Sequence, residues 1–247
     1  LSSGGRINRQ RVVNFRFNDR TYQGFEGDTL ASALLANGVA MVARSWKYHR
    51  PRGILSAGVE EPNALVQLFN GARSVPNARM TEVALVEGLS ARSVHASPSI
   101  EFDAKAVTGW FSRLIPAGFY YKTFMASQSS WHFFEKYIRA ASGLGTSPTE
   151  ADPDSYDKRF AHCDVLVVGA GIAGLTAALA AGRSGARVML CDEQAEAGGW
   201  LLSSDEQIDQ LPATQWVARA LLELAAMPEV TLLPRTTAYG YLDHDLL

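Results

Sequence analysis

The stretch that decides the fold spans residues 163–199 and reads CDVLVVGAGIAGLTAALAAGRSGARVMLCDEQAEAGG. Its first apolar run, residues 164–168, is short and rich in valine, which is typical of a parallel strand covered on both faces. Gly169, Gly171 and Gly174 follow in a GxGxxG pattern. The order of strand, glycine turn and helix predicts a βαβ unit that binds a dinucleotide.

The three glycines have different physical tasks in such a unit. Gly169 makes the tight turn, Gly171 lets a pyrophosphate approach bare backbone, and Gly174 lets the helix pack close to the strand. The helix is expected to begin near Ile172, so that its unpaired N–H groups and the positive end of its dipole stabilise the phosphates. It is expected to end before Gly185, which suits the left-handed position after a helix.

A second strand at residues 187–191 ends at Asp192, close to the usual spacing of about 20 residues after the first glycine. A carboxylate there meets a ribose hydroxyl, and its charge would repel the 2′-phosphate of NADP. The sequence therefore favours NAD or FAD. Gly199 falls in register with this unit, and Trp200 after it carries a bulky indole that either stacks on the cofactor or crowds it. Both are candidate cofactor-binding residues.

Composition limits the class of protein. A chain of 247 residues is long enough for two domains. With 23 basic and 25 acidic residues the net charge is −2, so no general attraction to nucleic acid or anionic lipid is expected. Residues 165–182 are uncharged, but the glycine turn divides them, which argues against a membrane span. Two cysteines and no visible signal peptide favour a cytoplasmic location.

The first domain is expected over residues 1–100. Alternating apolar residues predict a β-hairpin at residues 13–25, followed by a helix that Asp28 can cap and Gly38 can end. This order resembles the β-grasp fold of plant-type ferredoxins, whose cysteine-rich loop after the helix holds an iron–sulfur cluster. Residues 39–58 contain no cysteine. We therefore expect a cluster-free domain without a metal site.

A basic run, RSWKYHRPRG at residues 44–53, stands where that cysteine-rich loop would be. It has three interpretations: a solvated loop, a contact to an anion or a flavin phosphate, or a charged subunit interface. A nucleic-acid site is disfavoured because the run is short and the chain is slightly acidic. His49 is expected to be a hydrogen-bonded loop residue, since no second His or Cys stands at ligand spacing.

Residues 101–160 connect the two domains. Their first part, up to residue 140, is dense in aromatic rings, which we expect to be buried against a partner subunit or a missing part of the chain rather than on the chain's own domains. Residues 143–157 are rich in Gly, Pro, Ser and Asp, and this composition predicts a linker.

The second domain is expected over residues 161–247. A helix at residues 213–227 and a third parallel strand at residues 230–233 follow the βαβ unit, and the chain then stops. The overall fold class is therefore α/β plus α+β: a β-grasp domain and an incomplete Rossmann-like domain of glutathione-reductase type. In such folds the loop after the third strand contacts the adenine through its backbone, which makes Thr237 and Ala238 candidates.

Five stretches carry a resemblance to a known family. They read GDTLASALLANGV, SWKYHRPRG, GVEEPNALVQL, CDVLVVGAGIAGL and AEAGG. From about Arg6 to Leu247 the chain resembles the N-terminal part of the alpha subunit of heterotetrameric sarcosine oxidase. The resemblance adds Ala173 at the phosphate turn, and Glu193 and Gln194 after the second strand, to the cofactor-binding candidates.

The resemblance also implies a division of labour among subunits. Such enzymes oxidise sarcosine to glycine at a flavin, pass electrons to oxygen and transfer the one-carbon unit to tetrahydrofolate. The beta subunit holds FAD and handles sarcosine, FMN lies between alpha and beta, and gamma and delta subunits complete the assembly. The alpha subunit holds NAD and a C-terminal folate-binding region, which this chain lacks.

Three functions stay open on the sequence alone. The first is an NAD-binding oxidoreductase subunit whose chemistry takes place on a partner. The second is an FAD-bearing subunit of an amino-acid or opine dehydrogenase, since the same motifs serve FAD. The third is a scaffold with a purely structural nucleotide. No catalytic residue is assigned, because no Ser-His-Asp or Cys-His arrangement is apparent.

Overall fold

The structure is a computed structural model that describes residues 6–116, 118–125, 127–244 and 246–247. It divides into two compact units, one formed by Ile7–Ser155 and the other by Tyr156–Leu247 together with Arg6. Within these described ranges, no helix is both long and apolar enough to cross a membrane. The boundary between the units falls inside the predicted linker.

The first unit is built on a mixed β-sheet. Its first elements are β1 (Asn8–Phe17), β2 (Arg20–Glu26), α1 (Leu30–Ala36), β3 (Ala43–Arg44), β4 (Pro51–Arg52), β5 (Leu65–Leu68), β6 (Val75–Arg79) and β7 (Ser90–Ser93). The sheet order is β2-β1-β7-β5-β6, and β1 pairs antiparallel with β2 and parallel with β7. The predicted hairpin is confirmed, with Asn18 and Asp19 at positive φ in a two-residue turn.

Helix α1 lies where the sequence predicts it, but its cap differs. Thr29 is the N-cap residue, and a capping box joins its side chain to Ser32. Asp28, predicted to be the cap, stands one position earlier and accepts hydrogen bonds from the Ser32 hydroxyl at 2.6 Å and the Phe25 N–H at 2.9 Å. Its carboxylate therefore fastens the helix start to the end of β2, while Thr29 satisfies the free helical N–H.

The aromatic-rich segment forms a 3₁₀ helix at Ala104–Leu114, α2 (Phe119–Phe124) and α3 (Gln128–Ser142). Five of its rings have more than half of their surface exposed: Phe102, Trp110, Phe111, Phe133 and Tyr137. The unit itself therefore does not cover these rings. Their burial against a partner stays a prediction.

The start of the linker is fastened to the first unit. The Gly143 carbonyl accepts the His95 N–H at 2.8 Å, and the Thr146 N–H donates to the Gln67 side-chain oxygen at 2.9 Å. Arg73 and Asp154 form a two-pronged ion pair at 2.7–2.8 Å. These bonds explain why the first unit extends to Ser155.

The second unit is built on a parallel three-stranded sheet. Its elements are β8 (Val165–Val168), α4 (Ile172–Arg183), β9 (Val188–Asp192), a 3₁₀ turn at Gly199–Ser203, β10 (Gln207–Ile208), β11 (Leu211–Pro212), α5 (Ala213–Ala225) and β12 (Val230–Pro234). The sheet order is β12-β9-β8. The predicted strands and helices are confirmed. The register pairs Val168 with Cys191 and Asp192 with Pro234, so the carboxyl ends of all three strands meet at one edge.

Candidate dinucleotide-binding site

The glycine turn joins the end of β8 to the start of α4. Gly169 has a φ of 95° and donates its N–H to the Cys191 carbonyl at 2.8 Å. Gly171 is the N-cap residue of α4, and no side chain caps this helix end. The N–H groups of Ile172 and Ala173, in the first helical turn, therefore have no intrahelical acceptor and are available to an anion.

The structure shows that Gly171 and Gly174 have different roles. A Cβ atom placed on Gly174 would lie 1.8 Å from the carbonyl oxygen of Gly169. A Cβ atom placed on Gly171 would meet no atom within 4 Å. Gly174 is thus required for the close packing of α4 on the turn, whereas Gly171 faces open space of the kind that an approaching pyrophosphate needs.

Asp192 holds the glycine turn from the side. Its Oδ2 atom accepts the Ala170 N–H at 2.6 Å, and its Oδ1 atom accepts the Gln194 N–H at 2.7 Å. Each carboxylate oxygen has a second lone pair that can accept a ribose hydroxyl. The sequence spacing indicated the ribose role, but it could not show that the same carboxylate also positions the turn.

The second glycine pair lies against the turn. Gly198 donates its N–H to the Ala170 carbonyl at 2.8 Å, and a Cβ atom on Gly199 would lie 3.5 Å from the Cα atom of Gly171. Trp200 follows in the 3₁₀ turn with 54% of its surface exposed. The indole is therefore accessible to a ring bound nearby.

An apolar groove of about 470 Å³ lies beside Asp192, between α5 and β12. Its apolar walls include Ala218, Leu221, Leu222, Ala225, Leu232, Leu233 and Pro234. Asp192, Gln194 and Glu196 supply polar groups at this otherwise hydrophobic surface. The faces of an adenine ring are flat and apolar, so the groove suits them in shape and chemistry. Sequence reasoning missed the groove, because the outward face of α5 carries no motif.

The loop after β12 is fastened to the loop after β9. The Arg235 N–H donates to the Gln194 carbonyl at 3.0 Å, and the Thr236 N–H donates to the Asp192 carbonyl at 2.8 Å. Thr237 and Ala238 follow these bonds but are not part of the lining of the groove. Their adenine contact, like the role of the exposed Glu193, stays a prediction.

The polar groups at the glycine turn are the free N–H groups at the start of α4 and the Asp192 carboxylate. Within the described residues, no group of three or more His, Cys, Asp and Glu side chains is arranged to hold a metal ion. Cys191, at the end of β9, is buried, and burial raises the pKa of its thiol. The thiol is therefore protonated near neutral pH and is a poor nucleophile.

Two family models match separate parts of the chain. Residues 10–96 match a 2Fe-2S iron–sulfur cluster binding domain, which supports the ferredoxin-like fold of the first unit. These residues contain no cysteine, so the thiolate ligands of such a cluster are missing from them. Residues 164–225 match an FAD dependent oxidoreductase family, which supports a flavoenzyme-type dinucleotide domain.

Curated proteins confirm the resemblance stated from the sequence. The sarcosine oxidase alpha subunit of Rhizobium meliloti (strain 1021) is 53% identical over 244 residues, which are 98% of this chain and 25% of that protein. The corresponding alpha subunit of Corynebacterium sp. (strain U-96) is 39% identical over 98% of this chain and 21% of its own length. The chain thus spans about a quarter of the length of these relatives.

Two further similarities are more limited. One subunit of the opine oxidase of Rhizobium meliloti is 35% identical over 82 residues, which are 31% of this chain and 16% of that protein. The crystal structure of L-proline dehydrogenase from P. horikoshii aligns with a TM-score of 0.53 and 16% identity, over 99% of this chain and 36% of that one. At this identity the structural match speaks for the fold alone.

Proposed function

Because this chain is similar over 98% of its length to the alpha subunits of sarcosine oxidases, we propose that it is the dinucleotide-binding part of such a subunit. The observation that carries the proposal is the glycine turn, which Asp192 holds in place and which leaves open space in front of Gly171. The proposed enzyme is an oxidoreductase that demethylates sarcosine to glycine, with oxygen as electron acceptor.

The dinucleotide that we propose for this site is NAD. Asp192 disfavours the 2′-phosphate of NADP, and the resemblance assigns NAD to the alpha subunit. FAD is the second candidate, since residues 164–225 match an FAD dependent oxidoreductase family. Purifying the alpha subunit without its partners, releasing its bound cofactor and identifying it by mass spectrometry distinguishes the two. FAD on the isolated subunit would refute the NAD proposal.

The remaining parts of the proposed assembly lie outside this chain. We infer that FAD and the amine-oxidising site belong to a beta subunit, that FMN lies between alpha and beta, and that tetrahydrofolate binds a C-terminal region. Gamma and delta subunits complete the proposed heterotetramer. The similarity to alpha subunits supports this division of labour.

Asp192→Ala is expected to weaken NAD binding by about 1–3 kcal/mol, because the ribose hydroxyls lose a charged acceptor. It is also expected to lower the melting temperature, since the Ala170 N–H loses its partner. Calorimetric titration and thermal unfolding measure the two effects. Asp164→Ala is the control, because that carboxylate pairs with Arg187 at the opposite end of the sheet. Equal NAD affinities of the two variants would show that Asp192 does not contact the dinucleotide.

The exposed rings of the aromatic segment lead to a prediction about the chain by itself. Residues 1–247 expressed without partner subunits are expected to self-associate, because rings such as Trp110, 85% exposed, form an uncovered apolar surface. Size-exclusion chromatography gives the monomer fraction. We expect no oxygen uptake with sarcosine from this material. A soluble monomer would contradict the interface interpretation, and turnover by that monomer would contradict the assignment of chemistry to a partner.

A further inference from the structure

The basic run forms a cleft in the first unit that the dinucleotide site does not explain. The cleft has a volume of about 250 Å³ and lies beside the β3–β4 hairpin. Its lining includes four basic side chains: Arg44, Lys47, Arg50 and Arg52. No acidic residue is among the residues that line it. The cleft is therefore a concentration of positive charge on a chain whose net charge is −2.

Two of these cations are used to build the loop. Arg44 donates from Nε to the Ile100 carbonyl at 2.6 Å and from Nη1 to the His49 carbonyl at 2.8 Å. Lys47 donates from Nζ to the Pro116 carbonyl at 2.9 Å. These bonds fix the path of the backbone around the cleft.

Arg50 and Arg52 are exposed and have a different environment. Within the part of the chain that the structure describes, neither guanidinium has a carboxylate partner. The Arg50 guanidinium lies over the Tyr48 ring, 5.0 Å from its centre, which orients the group without neutralising it. In the same unit, Arg73 and Arg79 both pair with acids. The cleft therefore keeps two guanidinium groups available for an anion.

We propose that this cleft binds the phosphate group of a small phosphorylated ligand. The planar guanidinium fork matches the spacing of phosphate oxygens, and a dianion would neutralise the charges of Arg50 and Arg52, whereas Arg44 already lies 3.8 Å from the Asp103 carboxylate. The volume holds a phosphate and the atoms next to it, but not a whole dinucleotide. The cleft lies in the first unit, so this proposal is independent of the proposed function of the glycine turn.

Two kinds of ligand carry such a phosphate group: free inorganic phosphate and a phosphomonoester. Calorimetric titration of the complete alpha subunit with inorganic phosphate and with ribose 5-phosphate distinguishes them, because the tighter ligand identifies the source. The test protein is the double variant Arg50→Gln, Arg52→Gln. The control is Arg11→Gln, which removes an exposed arginine that pairs with Glu26 at 2.7 Å.

The expected result is at least tenfold weaker binding of the preferred ligand by the double variant, with unchanged affinity in the Arg11→Gln control. Thermal unfolding is expected to be nearly unchanged in both, since Arg50, Arg52 and Arg11 are all exposed and a surface ion pair such as Arg11–Glu26 contributes little to stability. Equal affinity of the double variant and the wild type would overturn the proposal. The proposal would also be overturned if the wild type bound neither ligand and the double variant lost an acidic partner subunit during purification. The cleft would then be a protein interface.

Discussion

Replacing Gly171 by valine is expected to abolish dinucleotide binding while the second unit stays folded. The space in front of Gly171 is empty, with no atom within 4 Å of a Cβ placed there, so a branched side chain fits the protein. It would occupy the position that the pyrophosphate needs, beside the free N–H groups of the first turn of α4. We expect a loss of at least a hundredfold in NAD affinity, measured by calorimetric titration.

Gly174→Ala is the matched comparison. Its Cβ atom would lie 1.8 Å from the Gly169 carbonyl oxygen, a contact that backbone atoms cannot relieve cheaply. This variant is expected to unfold at lower temperature, which circular dichroism detects, whereas Gly171→Val keeps its melting temperature in the absence of cofactor. Full cofactor occupancy of the purified Gly171→Val protein would show that the cofactor lies elsewhere.

The βαβ unit was predictable from the sequence because its rules are local. The GxGxxG spacing fixes a turn and a helix start, and an apolar run that ends in an acid fixes the second strand. Which donors surround Asp192 was not predictable, because the Ala170 N–H comes from a different strand end. The groove between α5 and β12 was missed for a related reason. It arises from the packing of two elements, each of which looks ordinary by itself.

In the first unit, too, contacts between separate elements could not be predicted from the sequence. The hairpin followed by a helix was readable from alternation and a polar start signal, but Asp28 and Thr29 are both suitable cap residues. The structure selects Thr29, because the end of β2 brings the Phe25 N–H to Asp28 instead. The aromatic segment was recognised only by composition. Its helices do carry local boundary signals that composition overlooked: Ser127 caps the start of α3, and Gly143 follows its end at a φ of 70°.

Glu61 is a further residue that sequence reasoning overlooked. It stands in GVEEPNALVQL, follows an equally acidic Glu60, and is 1% exposed. Its Oε2 atom accepts the N–H groups of Leu55 and Ser56, both at 2.7 Å. Its Oε1 atom accepts those of Asn63 at 2.7 Å and Ala64 at 3.0 Å. The first unit has a ferredoxin-like fold without cysteines. The backbone after α1 is thus arranged around the Glu61 carboxylate.

Glu61→Gln is expected to destabilise the first unit by about 2–6 kcal/mol. An amide keeps one acceptor oxygen but turns its NH₂ toward two backbone N–H donors, and each unsatisfied donor costs about 1–3 kcal/mol. Denaturant unfolding measures the loss. Glu60→Gln is the control, because Glu60 is exposed, and we expect it to change stability by only about 0.5 kcal/mol. A Glu61→Gln protein as stable as this control would show that the four hydrogen bonds do not hold the loop.

The pH dependence of the stability difference between wild type and Glu61→Gln tests whether the ionised form of Glu61 stabilises the loop. Burial alone would raise the pKa of Glu61, but the N–H donors of Ser56, Asn63, Leu55 and Ala64 outweigh it and lower the pKa from its ordinary value of 4.5. A lowered pKa means that the stabilisation is complete above 4.5 and is lost as the pH falls through the lower folded-state value. The stability gap between wild type and Glu61→Gln should therefore be constant near neutral pH and shrink in acid. A gap that stays the same from neutral pH to well below 4.5 would mean that the charge of Glu61 does not stabilise this loop.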